Sequence, residues 1–229
     1  MKFNEHMGEI AVDSPARFMR VFRDRADAGI RLAEHLGDYA DRDALILGLA
    51  RGGVPVAAEV ARALEGELDV VVARKLGAPT SRELAIGAVT ADGGFYVNKQ
   101  LIRELAIPTQ YVERLTAMEM AEARRQEERF RFGPPPNVNG RTVVLIDDGL
   151  ATGATMIAAA RSVRGRSPSQ LVVGVPVGSA EACEELRAEA DDVVCLVTPR
   201  PFWAVGLYYQ DFGQIDDDEV VHLLQQTRR

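Results

Sequence analysis

The residues best suited to chemistry lie together in the segment Val143-Val144-Leu145-Ile146-Asp147-Asp148-Gly149-Leu150-Ala151-Thr152-Gly153-Ala154-Thr155. Four apolar residues run into two acids, then a turn of small residues, then a helical pattern. A buried strand with this ending delivers its carboxylates to the carboxyl edge of an open α/β sheet, where ligands bind. Gly149 and Gly153 let the backbone bend and approach a ligand closely. Thr152 and Thr155 add hydroxyl donors, and the exposed N–H groups at the helix start favour a phosphate. Carboxylates beside a phosphate cradle suit a ligand that carries both a diol and a phosphate, such as ribose 5-phosphate. A Walker A loop would need a Lys after Gly153, and a dinucleotide fingerprint would need GxGxxG; neither is present here. The plain alternative is a tight turn with solvated acids.

These thirteen residues resemble the 5-phosphoribosyl-1-pyrophosphate (PRPP) motif of type I phosphoribosyltransferases, and the run Asp-Asp-Gly-Leu-Ala-Thr-Gly-Ala-Thr is close to the adenine-type version. The resemblance implies that Asp147 and Asp148 are the catalytic acids. They would hold the ribose hydroxyls and Mg²⁺, in part through water. Gly149, Leu150, Ala151, Thr152, Gly153, Ala154 and Thr155 would complete the ribose and 5′-phosphate site. One departure is Ala151, where the 6-oxopurine enzymes carry an Asp that handles a purine proton. That speaks against a hypoxanthine/guanine-type mechanism.

Further segments extend the resemblance over most of the chain from Ala44 to Phe212. Ala50, Arg51 and Gly52 follow the first core strand, where the family places its pyrophosphate loop. Arg51 there is a candidate charge-assisted donor. Arg74-Lys75 matches a basic pair that precedes a flexible closing loop, so both are candidate pyrophosphate ligands. Closure would exclude water from an oxocarbenium-like centre. Phe202 or Trp203, after the last core strand, is expected to stack on a base in a hood. Tyr208, Tyr209 and Phe212 are expected to pack the hood itself.

The elements that must position these residues follow from pattern. Short apolar runs alternate with helical periods, the signature of a parallel sheet with covering helices. Strands are expected at Ala44–Leu49, Asp69–Arg74, Thr142–Asp147, Leu171–Val175 and Val193–Val197, with a hairpin at Leu84–Thr90 and Phe95–Asn98 around Asp92-Gly93-Gly94. A leading helix is read over Ser14–Leu36, with Phe18, Phe22, Ala26, Ile30 and Ala33 at helical spacing. Others are read over Pro55–Leu64, Thr155–Val163 and Ala180–Ala188. The stretch KLGAPTSRE lacks periodicity and reads as a mobile loop. Lys99–Phe132 is charged and helical until Gly133–Pro136 stops it. Within it, Tyr111, Leu115, Met118 and Glu122 share one face, suited to covering the sheet or to a dimer. The pattern implies an α/β fold with a central parallel sheet of about five strands flanked by helices, and the resemblance implies that it is the type I phosphoribosyltransferase fold. The expectation is one domain over 1–229, with 198–229 contributing to a hood.

Composition sets the outer bounds. The chain has 229 residues, 47% hydrophobic and 27% charged, ordinary values for a globular domain. A formal net charge of −7 disfavours binding to nucleic acid or anionic membranes. The N-terminal stretch lacks an apolar core, and no apolar run reaches transmembrane length, so a cytoplasmic protein is expected. Cys183 and Cys195 read as small core residues in a reducing compartment. His6, His35 and His222 have no metal spacing. The resemblance implies transfer of a 5-phosphoribosyl group from PRPP to a nitrogen acceptor such as a nucleobase, with Mg²⁺, and a homodimer is expected. The alternatives are a PRPP-sensing protein without transfer, or a nucleotide phosphorylase or hydrolase on the same fold.

Overall fold

In the computed structural model, residues 20–40 and 43–226 are described. Five strands form a wholly parallel sheet: β1 (Leu45–Leu49), β2 (Glu67–Val71), β6 (Thr142–Ile146), β7 (Gln170–Val177) and β8 (Asp192–Val197), in the order β2-β1-β6-β7-β8. Alternation along the strands sorts the core into two layers. Ile46, Val144, Ile146 and Val172 pack on one face against helices α1 (Arg25–Ala33), α2 (Gly53–Ala63) and α7 (Asp217–Gln226). Leu45, Leu47, Val143, Leu145 and Val173 pack on the other against α5 (Ala154–Arg164) and α6 (Ala180–Leu186). The chain leaves β1 toward β2 on one side and later returns to place β6 on the other. The strand order therefore reverses between β1 and β6, and the loops leaving these two strands open a crevice at their carboxyl ends.

A second, antiparallel sheet of order β3-β4-β5 is built from β3 (Ala73–Ala78), β4 (Ser81–Thr90) and β5 (Phe95–Val97). The β4–β5 hairpin lies where the pattern placed it. The expected mobile loop KLGAPTSRE does not: most of it is β3 and the start of β4. Register shifts at Leu76, Gly77 and Ala78 explain why no period of two was visible. Gly77 lies against the Arg82 backbone, where a Cβ would come within 2.6 Å of a carbonyl oxygen. The expected strand Asp69–Arg74 is likewise split: β2 ends at Val71, and Ala73 enters the second sheet.

The charged stretch breaks into α3 (Lys99–Glu104), capped by Asn98, and α4 (Thr109–Phe130), which starts after Pro108. Tyr111 and Leu115 pack α4 onto β3 and β4, whereas Met118, expected on the same face, is exposed. The leading helix begins later than its spacing suggests. Asp24 caps α1 by accepting the Asp27 N–H, and Phe22 is extended, bridging Tyr209 and fully buried among aromatics of the C-terminal segment. That burial outweighs local helical spacing. Residues 14–19 of the expected helix, Phe18 included, lie outside the described residues.

Candidate active site

The acids end β6. Asp147 and Asp148 are half-buried, and the Asp147 carboxylate accepts the Asp148 backbone N–H at 2.8 Å. Burial, and then the neighbouring negative charge of Asp148, pushes the Asp147 carboxyl well above its ordinary range. Asp148 is also raised by burial, although the Arg25 guanidinium beside it acts the other way. Arg25 Nε donates to Asp148 Oδ2 at 2.8 Å, with side chains only 10% and 15% exposed. The same guanidinium donates to the Gly213 carbonyl at 2.8 Å and lies 3.9 Å over the Phe212 ring. Tyr209 Oη donates to the Asp148 carbonyl at 2.6 Å, so the C-terminal segment grips the acid loop directly. Burial raises the Tyr209 phenol, which keeps it a donor.

The turn after the acids is held from behind. Leu150 N–H donates to Val177 O, Ser179 N–H to Leu150 O and Ser179 Oγ to Ala151 O, each at 2.9 Å. These bonds fasten the loop to the end of β7 and the cap of α6. Gly153 takes φ +70°, a left-handed conformation that favours glycine, and α5 starts at the next residue. The first-turn N–H groups of α5 have no partner within their helix and are available to an anion. Opposite, Gly52 and Gly53 bring the start of α2 against the acids. A Cβ on Gly52 would fall 2.1 Å from Asp148 Oδ2, and one on Gly53 would fall 2.6 Å from Ile146 O. The Ala50–Arg51 peptide is cis.

Together these parts bound a cavity of about 480 Å³. Of the residues singled out in the sequence, Asp147, Asp148, Gly149, Leu150, Ala151, Thr152, Gly153, Thr155, Ala50, Arg51, Gly52 and Lys75 line it. Ala154 faces away, packing with Ala88 and Ala158. Arg74 is directed at α4, where it pairs with Glu119 at 2.6 Å and reaches Gln126. Phe202 stacks on Tyr208, and Trp203 is 71% exposed; neither lines the cavity. From the C-terminal segment the lining is instead Val205, Phe212, Gln214 and Ile215, and Arg25 adds a cation. No local motif marks Arg25, which meets Asp148 only through folding. Among the described residues no cluster of three or more His, Cys, Asp or Glu could hold a metal ion. Two adjacent carboxylates still suit Mg²⁺, a hard cation that usually takes one or two carboxylates and completes its shell with water and substrate phosphates.

The model of the phosphoribosyl transferase domain matches residues 23–211. The chain belongs to this family. A Mycobacterium tuberculosis protein, provisionally named a phosphoribosyl transferase, is 42% identical over 212 residues, covering 92% of this chain and 48% of that protein. The chain thus spans about half the length of the curated relatives it matches. The crystal structure of TT1426 from Thermus thermophilus superposes with a TM-score of 0.74 at 46% identity, covering 90% of this chain and 98% of that one. The matched phosphoribosyl transferase region contains Arg25, both acids, the turn and Lys75, and stops just before Phe212, Gln214 and Ile215. Among the described residues no helix is long and apolar enough to cross a membrane.

Proposed function

We propose that this protein transfers the 5-phosphoribosyl group of PRPP to a nitrogen acceptor of the nucleobase class, with release of pyrophosphate. One observation carries the reading: a carboxylate pair and an orphan helix N-terminus face one cavity at the switch between β1 and β6. The α5 amides, with Thr152 and Thr155, receive the 5′-phosphate. Asp147 and Asp148 accept the ribose hydroxyls. Ala50–Gly52, Arg51 and Lys75 face the pyrophosphate across the cavity and stabilise charge as it leaves. Mg²⁺, held by Asp147 and Asp148 in part through water, would supply further charge neutralisation on the leaving group. Val205, Phe212, Gln214 and Ile215 wall the acceptor side. Ala151 offers no proton acceptor, so rate enhancement rests on positioning and electrostatics.

The test is pyrophosphate release from PRPP and Mg²⁺ with a panel of purines, pyrimidines and small amines. Acceptor-dependent release is expected, and Asp147→Asn with Asp148→Asn should abolish PRPP binding while circular dichroism stays unchanged. PRPP binding that survives the double substitution refutes the ribose placement. A second reading, a PRPP sensor without transfer, is favoured by one observation: Arg25 already engages Asp148. Tight binding with no release for any acceptor would select it.

A further inference from the structure

Two thiols meet directly behind the phosphate loop. Cys183 lies in the second turn of α6 and is buried, while Cys195 on β8 is half-buried. Both sulfurs close on Gly178, where a Cβ would sit 2.9 Å from Cys183 Sγ and 3.3 Å from Cys195 Sγ. The neighbouring Cys195 thiol draws the Cys183 thiol below its ordinary value, and Cys183 together with burial raises Cys195. Cys195 Sγ is also 3.4 Å from the Val197 carbonyl. The helix α6, which carries Cys183, fastens the loop through its cap, and β8, which carries Cys195, pairs with β7, whose end holds the loop. Gly178 bridges Leu150, Ser179 at the cap of α6 holds the Leu150 and Ala151 backbone, and a Cβ on Gly153 would meet Ala182 Cβ at 3.3 Å.

We propose that Cys183 and Cys195 are an oxidisable pair, and that a hydroperoxide converts them to a disulfide that alters the phosphate loop. The Cys183 thiolate attacks one peroxide oxygen and the O–O bond breaks, giving a sulfenic acid; with hydrogen peroxide the leaving hydroxide takes up the proton that the Cys183 thiol gave up and departs as water. Cys195 sulfur then displaces the sulfenic oxygen, which leaves as a second water carrying the Cys195 proton. The two thiols lose two electrons, and the peroxide gains them. The S–S bond draws the sulfurs to about 2 Å, and so pulls α6 toward β8. The contacts from Ser179 and Ala182 to the loop must adjust with it. Oxidant reaches the pair from the half-buried Cys195 side.

The experiment treats the full chain with hydrogen peroxide, blocks remaining thiols by alkylation and maps peptides without reduction. Hydrogen exchange is then followed at the amides of residues 150–155. The expected result is a cross-linked peptide joining Cys183 and Cys195, reversed by dithiothreitol. Loop exchange should change by about threefold or more. Cys195→Ala should yield no cross-link, and peroxide should leave its loop exchange as before. Two free, alkylatable thiols after oxidation overturn the proposal, and so does a disulfide that leaves loop exchange unchanged. The exchange readout needs no ligand, so its failure leaves the transferase reading standing, and an absence of PRPP binding leaves the thiol chemistry standing.

Discussion

Replacing Arg25 by alanine removes the cation that the fold, rather than any motif, supplies to the acid pair. Both side chains of the Arg25–Asp148 pair are largely buried, so solvent screening is weak. Removing one partner of a buried pair costs about 3–5 kcal/mol when the other stays charged. Asp148 can escape part of that cost by taking up a proton, because burial already raises its carboxyl. The ion-pair contribution therefore falls to about 2 kcal/mol at neutral pH, below the range for a locked charge. The lost bond to the Gly213 carbonyl adds about 1 kcal/mol. The lost contact with the Phe212 ring adds about another 1 kcal/mol. Urea unfolding should thus show Arg25→Ala destabilised by about 4 kcal/mol with an unchanged m-value. In an Asp148→Asn background the same change should cost only about 2 kcal/mol, since the bonds to the C-terminal segment remain to be lost. The double-mutant cycle should return a coupling of about 2 kcal/mol, well above ordinary additivity error. A coupling below about 0.5 kcal/mol would refute the idea that Arg25 is the working counterion of Asp148.

Asp147→Asn should stabilise the folded protein at pH 7. The native carboxyl is raised above its unfolded value, so its favourable contribution is present below about pH 3.9 and lost as pH rises through the native value. The advantage of the variant, followed by thermal melts across pH, should therefore shrink on acidification; an advantage that grows toward low pH contradicts the assigned cause. Gly53→Ala should lower stability by about 1–3 kcal/mol in chemical denaturation, because its Cβ meets backbone atoms that cannot rotate away. Calorimetric titration with PRPP should show Lys75→Ala weakened about tenfold by loss of a charge-assisted contact, with Arg74→Ala near the parent; equal losses would contradict the different directions of the two side chains. Phe212→Ala should raise the acceptor KM and Trp203→Ala should leave it unchanged, read from steady-state pyrophosphate release.

Neighbouring residues were legible wherever the signal was local. The run from Val143 to Thr155 names its own strand, acids, turn and helix, and β1, β7 and β8 read equally well as short apolar runs. The segment from Lys75 to Glu83 was not legible, because a bulge beside Gly77 erases the alternation by which strands are recognised. The basic pair shows the same limit at finer scale. Successive residues of β3 point to opposite faces, so of Arg74 and Lys75 only one can face the cavity. Which one depends on where α4 docks, and Glu119 takes Arg74. Phe202 and Trp203 were conspicuous as aromatics in the C-terminal segment, yet the chain turns there so that Phe202 stacks on Tyr208 and Phe212 reaches the cavity.

By itself, then, the amino-acid order determined the cradle of acids, turn and helix start after β6, since every part of it lies within one strand–turn–helix unit. Tertiary structure decided what stands around that cradle. Parallel pairing of β1 with β6 sets Gly52 and Gly53 against Asp147 and Asp148. Extension of residue 22 against Tyr209 lets α1 begin where Arg25 can meet Asp148. Those contacts join segments remote in sequence, and they form because buried strands and aromatics must pack, a requirement no short motif records.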